Sequence, residues 1–290
     1  MKEIKAVAPF VYPGWLNFKT AAYEAWVKQG GQIVDAYYPV RVMHGVFFRW
    51  ELPTLWKSKK EARLRFVEPV SISFDTFPDY AQYEVVPFVW DCWPCYFDKM
   101  CRWLMKHHVK TAIFTSSQTA ERMKKRFPQM NIMFCPEAVD TKQWSEGELL
   151  VNRHRNELNY GRLTEETFSH AQLHAAATDS KLTIALPRSI TQPEVAGDIE
   201  TLTQRYWESM LSRMVMVGHA PKELTDLIGY NPVIELDKEH AKEQILDILS
   251  HIGDYQDLVD RNRETALKMG DWTLRMKQVM AFLQDCGYEV

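Results

Sequence analysis

Short, unbroken apolar runs separated by helix-length segments constrain this chain more than any other feature. IKAVAPF, YEVVPFVW, KTAIFT, NIMFCPE, KLTIALP, RMVMVG and NPVIELD carry few polar residues. A strand with one wet face alternates polar and apolar, whereas a strand covered on both faces reads as a continuous apolar run. Between these runs lie FKTAAYEAWVKQG, closed by Gly30 and Gly31, then YFDKMCRWLMKHH, and AERMKKRF, preceded by the capping residues Ser116, Ser117 and Thr119. Such segments suit crossover helices. The alternation predicts an α/β chain whose parallel sheets are covered by helices on both faces.

A polar stretch, Asp140 to Gly147, divides the pattern. Before it, QIVDAYYPV reads as a second strand. After it come ELNYGRL, a helical TEETFSHAQLHAAAT, further strands and three closing amphipathic helices. The chain has 290 residues, 46% hydrophobic and 25% charged, enough for two packed domains of roughly 150 residues or one large α/β domain. A formal net charge of -3 argues against nucleic acid as the main partner. MKEIKAVAPF has no signal-peptide core, and no run approaches the roughly 18 apolar residues of a membrane span, so a cytoplasmic protein is expected.

Several motifs point to weaker alternatives. DCWPCYFDKMC places Cys92, Cys95 and Cys101 together, but no second close ligand pair exists, and buried thiols are the simpler reading. His170 and His174 in HAQLH lack the acid of a zinc protease and read as a solvated helix face. No G-x-G-x-x-G follows a strand, which removes the signature of a doubly wound redox enzyme.

The stretch DIETLTQRYWESMLSRMVMVG carries Glu200 and Glu208 on either side of TLTQRYW. Residues eight apart on a helix lie about 80° and about 12 Å apart. Glu200, following Gly197 and Asp198, is expected at or before a helix start, with Glu208 well inside the helix. The amides of Leu202 and Thr203 and the hydroxyls of Thr201 and Thr203 would then suit a phosphate. On spacing alone, a solvated face is the simpler explanation of both acids.

The segment resembles the E-x7-E motif of retaining GT-B glycosyltransferases, in the order TIALPRS, Glu200, Glu208, VMVGHAPKE. FCPEAVDTKQW is similar to that family's interdomain segment, and FTSSQTAERMKKRFP to the last βα unit of its first lobe. NYGRL looks like the glycine-arginine after the first donor-lobe strand, and YQDLVDRNRETALKMGDWTLRMKQVMAFL resembles the closing helices. The resemblance implies two Rossmann-like lobes facing a cleft, with C-terminal helices crossing back to the first lobe. It divides the chain into an acceptor-side lobe, residues 1–140, a donor lobe, 141–268, and a returning helix, 269–290. It implies that Glu208 holds the ribose hydroxyls, Glu200 meets the donor sugar, and Arg162 meets the diphosphate. Arg188 and Lys222 are further donor-side candidates, although Lys222 and His219 could equally line a turn. The sequence departs from the pattern in three ways. Thr201-Leu202-Thr203 stands where a glycine-rich triplet is usual. A lysine after the Gly-Arg is missing, with Arg153, Arg155, Arg188 and Arg205 as candidate replacements. The span before KLTIALP is short, which implies a reduced donor lobe.

On the acceptor side, the loops VYPGWLNF and VWDCWPCYF offer Gly14, Trp15, Trp90 and Trp93 to a sugar ring, with core packing the simpler reading of any one tryptophan, and Asp91 as the residue that orients or deprotonates a hydroxyl. RWELPTLWKSKKEARLRF, residues 49–66, reads as a solvated basic helix or as a peripheral contact with the inner membrane face. The implied activity is transfer of a sugar from a nucleotide-diphosphate donor to a saccharide or lipid-linked acceptor in polysaccharide biosynthesis. No cofactor or metal is expected. The alternative is a sugar- or nucleotide-binding module of the same fold without turnover.

Overall fold

The computed structural model describes residues 1–8, 17–35, 57–160 and 168–290. The chain forms two compact units. One comprises Met1–Pro136, Gln192–Glu200 and Trp272–Val290; the other comprises Glu137–Thr191 and Thr201–Asp271. The nine residues Gln192–Glu200 thus pack with the first unit, although they interrupt the sequence of the second.

The first unit is built on a parallel sheet: β1 (Lys2–Val7), β2 (Gln32–Val34), β3 (Glu61–Val67), β4 (Glu84–Val89), β5 (Thr111–Phe114), β6 (Asn131–Phe134) and β11 (Tyr288–Glu289). β3 to β6 follow in order on one side of β1, while β2 and β11 pair with its other side. Strand addition therefore reverses between β1 and β3, the switch point typical of a doubly wound sheet. All six residues of β4 are buried, as its unbroken apolar run requires. α1 (Asn17–Lys28), α2 (Pro94–Lys106) and α3 (Ser117–Arg126) supply crossovers. Ser116 caps α3 by accepting the Thr119 N–H at 3.3 Å.

β3 corrects the reading of residues 49–66. Those before 57 lie outside the described residues, but EARLRFV is an interior strand rather than a solvated helix. Arg63 and Arg65 are buried: Arg63 pairs with Glu61 at 2.7 Å and lies over the Tyr83 ring, and Arg65 pairs with Asp79. Neither guanidinium is left to meet a lipid headgroup. Among the described residues, no helix is long and apolar enough to cross a membrane.

Among the described residues, the second unit holds four parallel strands in sequential order, β7 (Arg155–Glu157), β8 (Ser180–Ala185), β9 (Val215–Gly218) and β10 (Val233–Glu235). Right-handed crossovers added in one direction place their helices on one face. α4 (His170–Asp179), α5 (Gln204–Leu211) and α6 (Lys222–Ile228) accordingly share a core with Trp144, Tyr206, Trp207, Met216 and Leu224. The opposite face packs Leu182, Val215 and Val217 against Ile248 of α7 (Ala241–Ser250) and Val259 of α8 (Gln256–Met269). Gly218, at φ 155°, ends β9 where a Cβ would stand 1.9 Å from the Ala185 carbonyl oxygen, so only glycine fits. The last helix, α9 (Trp272–Asp285), belongs to the first unit, where Trp272 meets Phe88 and Trp90 edge-on.

Candidate functional site

In parallel sheets, ligands collect beyond the carboxyl ends of the strands. In the second unit that region comprises the residues after β7, the long connection from β8 to α5, and the turn after β9. Glu208 lies in the second turn of α5, with Thr203 as N-cap. Tyr160, three residues after β7, donates its hydroxyl to Glu208 Oε2 at 3.1 Å. Arg205 lies over the Tyr160 ring and donates to the Tyr160 carbonyl at 2.8 Å. Burial pushes the Glu208 carboxyl up to about 7, against the pull of the Tyr160 hydrogen bond and the Arg205 charge. Burial, followed by the Glu208 charge, raises Tyr160 well above its ordinary value. A carboxylate held this way is short of donors, and two neighbouring hydroxyls of a ribose would supply them.

Glu200 lies before α5, and its N–H donates to Gln118 Oε1 of α3 at 2.8 Å. The same segment is tied to α3 by Arg122, which forks onto both carboxylate oxygens of Asp198 at 2.7 and 2.8 Å. Ile199 and Ala196 pack on Trp93. The two glutamates of the E-x7-E spacing thus belong to different units: Glu200 to the first, Glu208 to the second.

Other expected donor-side residues divide. The Thr201 and Thr203 hydroxyls form no hydrogen bond with another described residue. Leu202 is a core residue, and its N–H is already taken by Glu223 Oε2 at 2.8 Å, so it is not the expected phosphate donor. Lys222 is an exposed partner of Asp226 one helical turn on. His219 pairs with Glu235 at 2.7 Å. Arg188 is half-buried at the start of the helical turn Arg188–Thr191. Arg153 cannot replace the missing lysine: it is buried and donates to the carbonyls of Glu146, Glu148 and Ser180. Arg162 lies outside the described residues. Tyr160, Gln204 and Glu223 were not singled out in the sequence. Glu223 is buried in the first turn of α6 and pins the approach to α5. The Gln204 side-chain nitrogen is buried without a partner among the described residues, at the helix start where a phosphate was expected.

On the acceptor side, Gly14 and Trp15 lie outside the described residues. Trp90 and Trp93 are each 3% exposed and belong to the core. Trp90 stacks on Phe88 at 4.9 Å and packs against Phe66 and Trp272. Both indoles satisfy packing, so neither offers a face to a sugar. Asp91, between them, is different: it adopts the left-handed region at φ 50° and is only half-buried. A non-glycine residue held there, at the carboxyl end of β4, is a feature often associated with functional loops.

The remaining motifs are structural. Cys92 and Cys101 are buried and Cys95 exposed, all three as free thiols. His174 is not solvated but packs on Trp144 and accepts the Ser145 N–H at 2.9 Å, while Gln172 completes a capping box with Ser169. Among the described residues, no group of three or more His, Cys, Asp or Glu side chains is arranged to hold a metal ion.

No family model matches the sequence, and no curated protein matches it. Solved structures do. Anabaena HepE, determined with UDP and glucose, superposes with a TM-score of 0.56 at 9% identity over 98% of this chain and all of that one. AviGT4, a glycosyltransferase of avilamycin A biosynthesis, gives 0.55 at 10% identity over 98% and 97%. TarM gives 0.53 at 8% identity over 82% of this chain, which spans only 57% of TarM. At this identity the likeness is one of fold: the chain has the α/β architecture of two Rossmann-like units, termed GT-B, that these glycosyltransferases share.

Proposed function

We propose that this protein is a glycosyltransferase that moves a sugar from a nucleotide-diphosphate donor to a saccharide or lipid-linked acceptor, with retention at the reacting carbon. The observation that carries the reading is Glu208, a carboxylate pushed up to about 7 whose side-chain hydrogen bond comes from the Tyr160 hydroxyl. A ribose diol fits that need. Support also comes from the shared fold with HepE, whose structures hold UDP with glucose and UDP-glucose.

In this reading Glu208 binds the ribose and Glu200 meets the hydroxyls of the donor sugar. The charge that builds on the departing diphosphate is met by Arg162, the Thr201 and Thr203 hydroxyls and the first amides of α5, without a metal ion. Arg188 is a further donor-side cation, and Asp91 orients the acceptor hydroxyl. The connection Gln192–Thr203 carries no glycine-rich triplet; Glu223 instead fixes it by accepting the Leu202 N–H.

The test is a thermal-shift panel of UDP-, GDP-, ADP- and dTDP-sugars, followed by release of nucleoside diphosphate from the one that binds. Stabilisation by one donor, with slow hydrolysis that Glu200→Gln suppresses, is expected. A second reading, a nucleotide-sugar-binding module without turnover, is favoured by the occupied Leu202 amide. Binding without release of nucleoside diphosphate under any acceptor would select it. No binding to any member of the panel would end both readings.

A further inference from the structure

We propose that a pocket at the amino ends of the first unit's strands binds a compact phosphoryl polyanion of the size of inorganic diphosphate. The pocket encloses about 330 Å³ and is lined by Lys2, Lys59, Glu84, Lys110, Thr111 and Tyr288, among others. It lies at the end of the sheet opposite Asp91 and owes nothing to the donor reading.

Three lysines line it beside one carboxylate, in a chain whose formal net charge is -3. The carboxylate is already satisfied: Glu84 is buried, takes Lys2 Nζ at 2.7 Å and accepts the Tyr288 hydroxyl, which also lies 3.2 Å from Thr111 Oγ1. Lys59 and Lys110 are exposed, and neither ammonium has a hydrogen-bond or ion-pair partner among the described residues. Burial lowers the Lys57 amine, Glu84 opposes this, and Lys2 and Lys110 lower it further. Lysines are strong point-charge ligands for phosphoryl oxygens, and their mutual repulsion falls most when a multiply charged anion enters. The volume of about 330 Å³ suits a diphosphate or a small phosphorylated sugar.

The experiment is calorimetric titration of the full-length chain with inorganic diphosphate at low and high salt, without added metal. Saturable binding that weakens with salt is expected. The double variant Lys59→Gln/Lys110→Gln should lose about fivefold or more in affinity with an unchanged melting temperature in the absence of ligand. Arg162→Gln, at the position given to the donor diphosphate under the proposed function, should bind as the wild type does. Either single lysine variant, showing an intermediate loss, serves if the double variant is unstable. Absence of saturable binding overturns the proposal, as does full affinity in the lysine variants. Loss of binding in Arg162→Gln also overturns it, by assigning the anion to the donor site of the second unit. Acetate competing as well as diphosphate would refute the phosphoryl class.

Discussion

Glu84 in the first unit and Glu208 in the second are both enclosed carboxylates that accept a tyrosine hydroxyl, yet they behave oppositely. Around Glu84, burial raises the carboxyl, but hydrogen bonds from Lys2 and Tyr288 outweigh it and hold the group below its ordinary value. Around Glu208, burial wins: the Tyr160 hydroxyl and the more distant Arg205 leave the carboxyl at about 7. The difference is one ammonium in contact. A buried acid with a cation at 2.7 Å completes a structure, whereas one with only a neutral donor is costly to the empty protein. That cost is what a functional site can recover when ligand binds.

The comparison can be broken most forcefully at Glu84. Glu84→Ala strands Lys2 and Tyr288 and should cost about 3 kcal/mol in urea unfolding, as loss of a paired buried charge does. A cost near zero would make the two acids equivalent. Glu208→Ala should act on binding instead, reducing nucleoside diphosphate affinity by about tenfold or more in calorimetry without a comparable loss of stability.

Glu208→Gln sharpens the contrast. A group raised in the folded state binds its proton there while the unfolded chain has lost it, so Glu208 lowers stability progressively as pH rises from about 4.5 to about 7. At roughly 1.4 kcal/mol per unit, the full cost above pH 7 is up to about 3 kcal/mol. Removing the charge should therefore stabilise the empty protein at pH 8 by about 1–2 kcal/mol, allowing for partial exposure, and have little effect at pH 4.5. Differential scanning calorimetry at the two pH values reads this directly. Tyr160→Phe, the mildest change, removes one neutral hydrogen bond and should weaken nucleotide binding only about threefold.

The parallel sheets were legible because strands buried on both faces leave unbroken apolar runs, as in EVVPFV. β3 was not, although EARLRF alternates, because its arginines suggest a wet surface. Their burial depends on Asp79 and Tyr83, which neighbouring residues do not reveal. Trp90 and Trp93 were misread for a related reason: a loop tryptophan carries no mark of whether it faces solvent or core. The spacing of Glu200 and Glu208 drew attention to both acids. What sets Glu208 apart, however, is Tyr160, 48 residues away, and the loop before α5 is fixed by Glu223, 21 residues from Leu202. Such partners become visible only once the strands are paired.

The most direct measurement is the affinity for the preferred nucleoside diphosphate as a function of pH, in wild type and in Glu208→Gln. If the ionised carboxyl receives the ribose hydroxyls, wild-type affinity relative to the variant rises from pH 6 to pH 8 and levels off just above the Glu208 value of about 7. Parallel pH profiles for the two proteins, with equal affinities throughout, would contradict it.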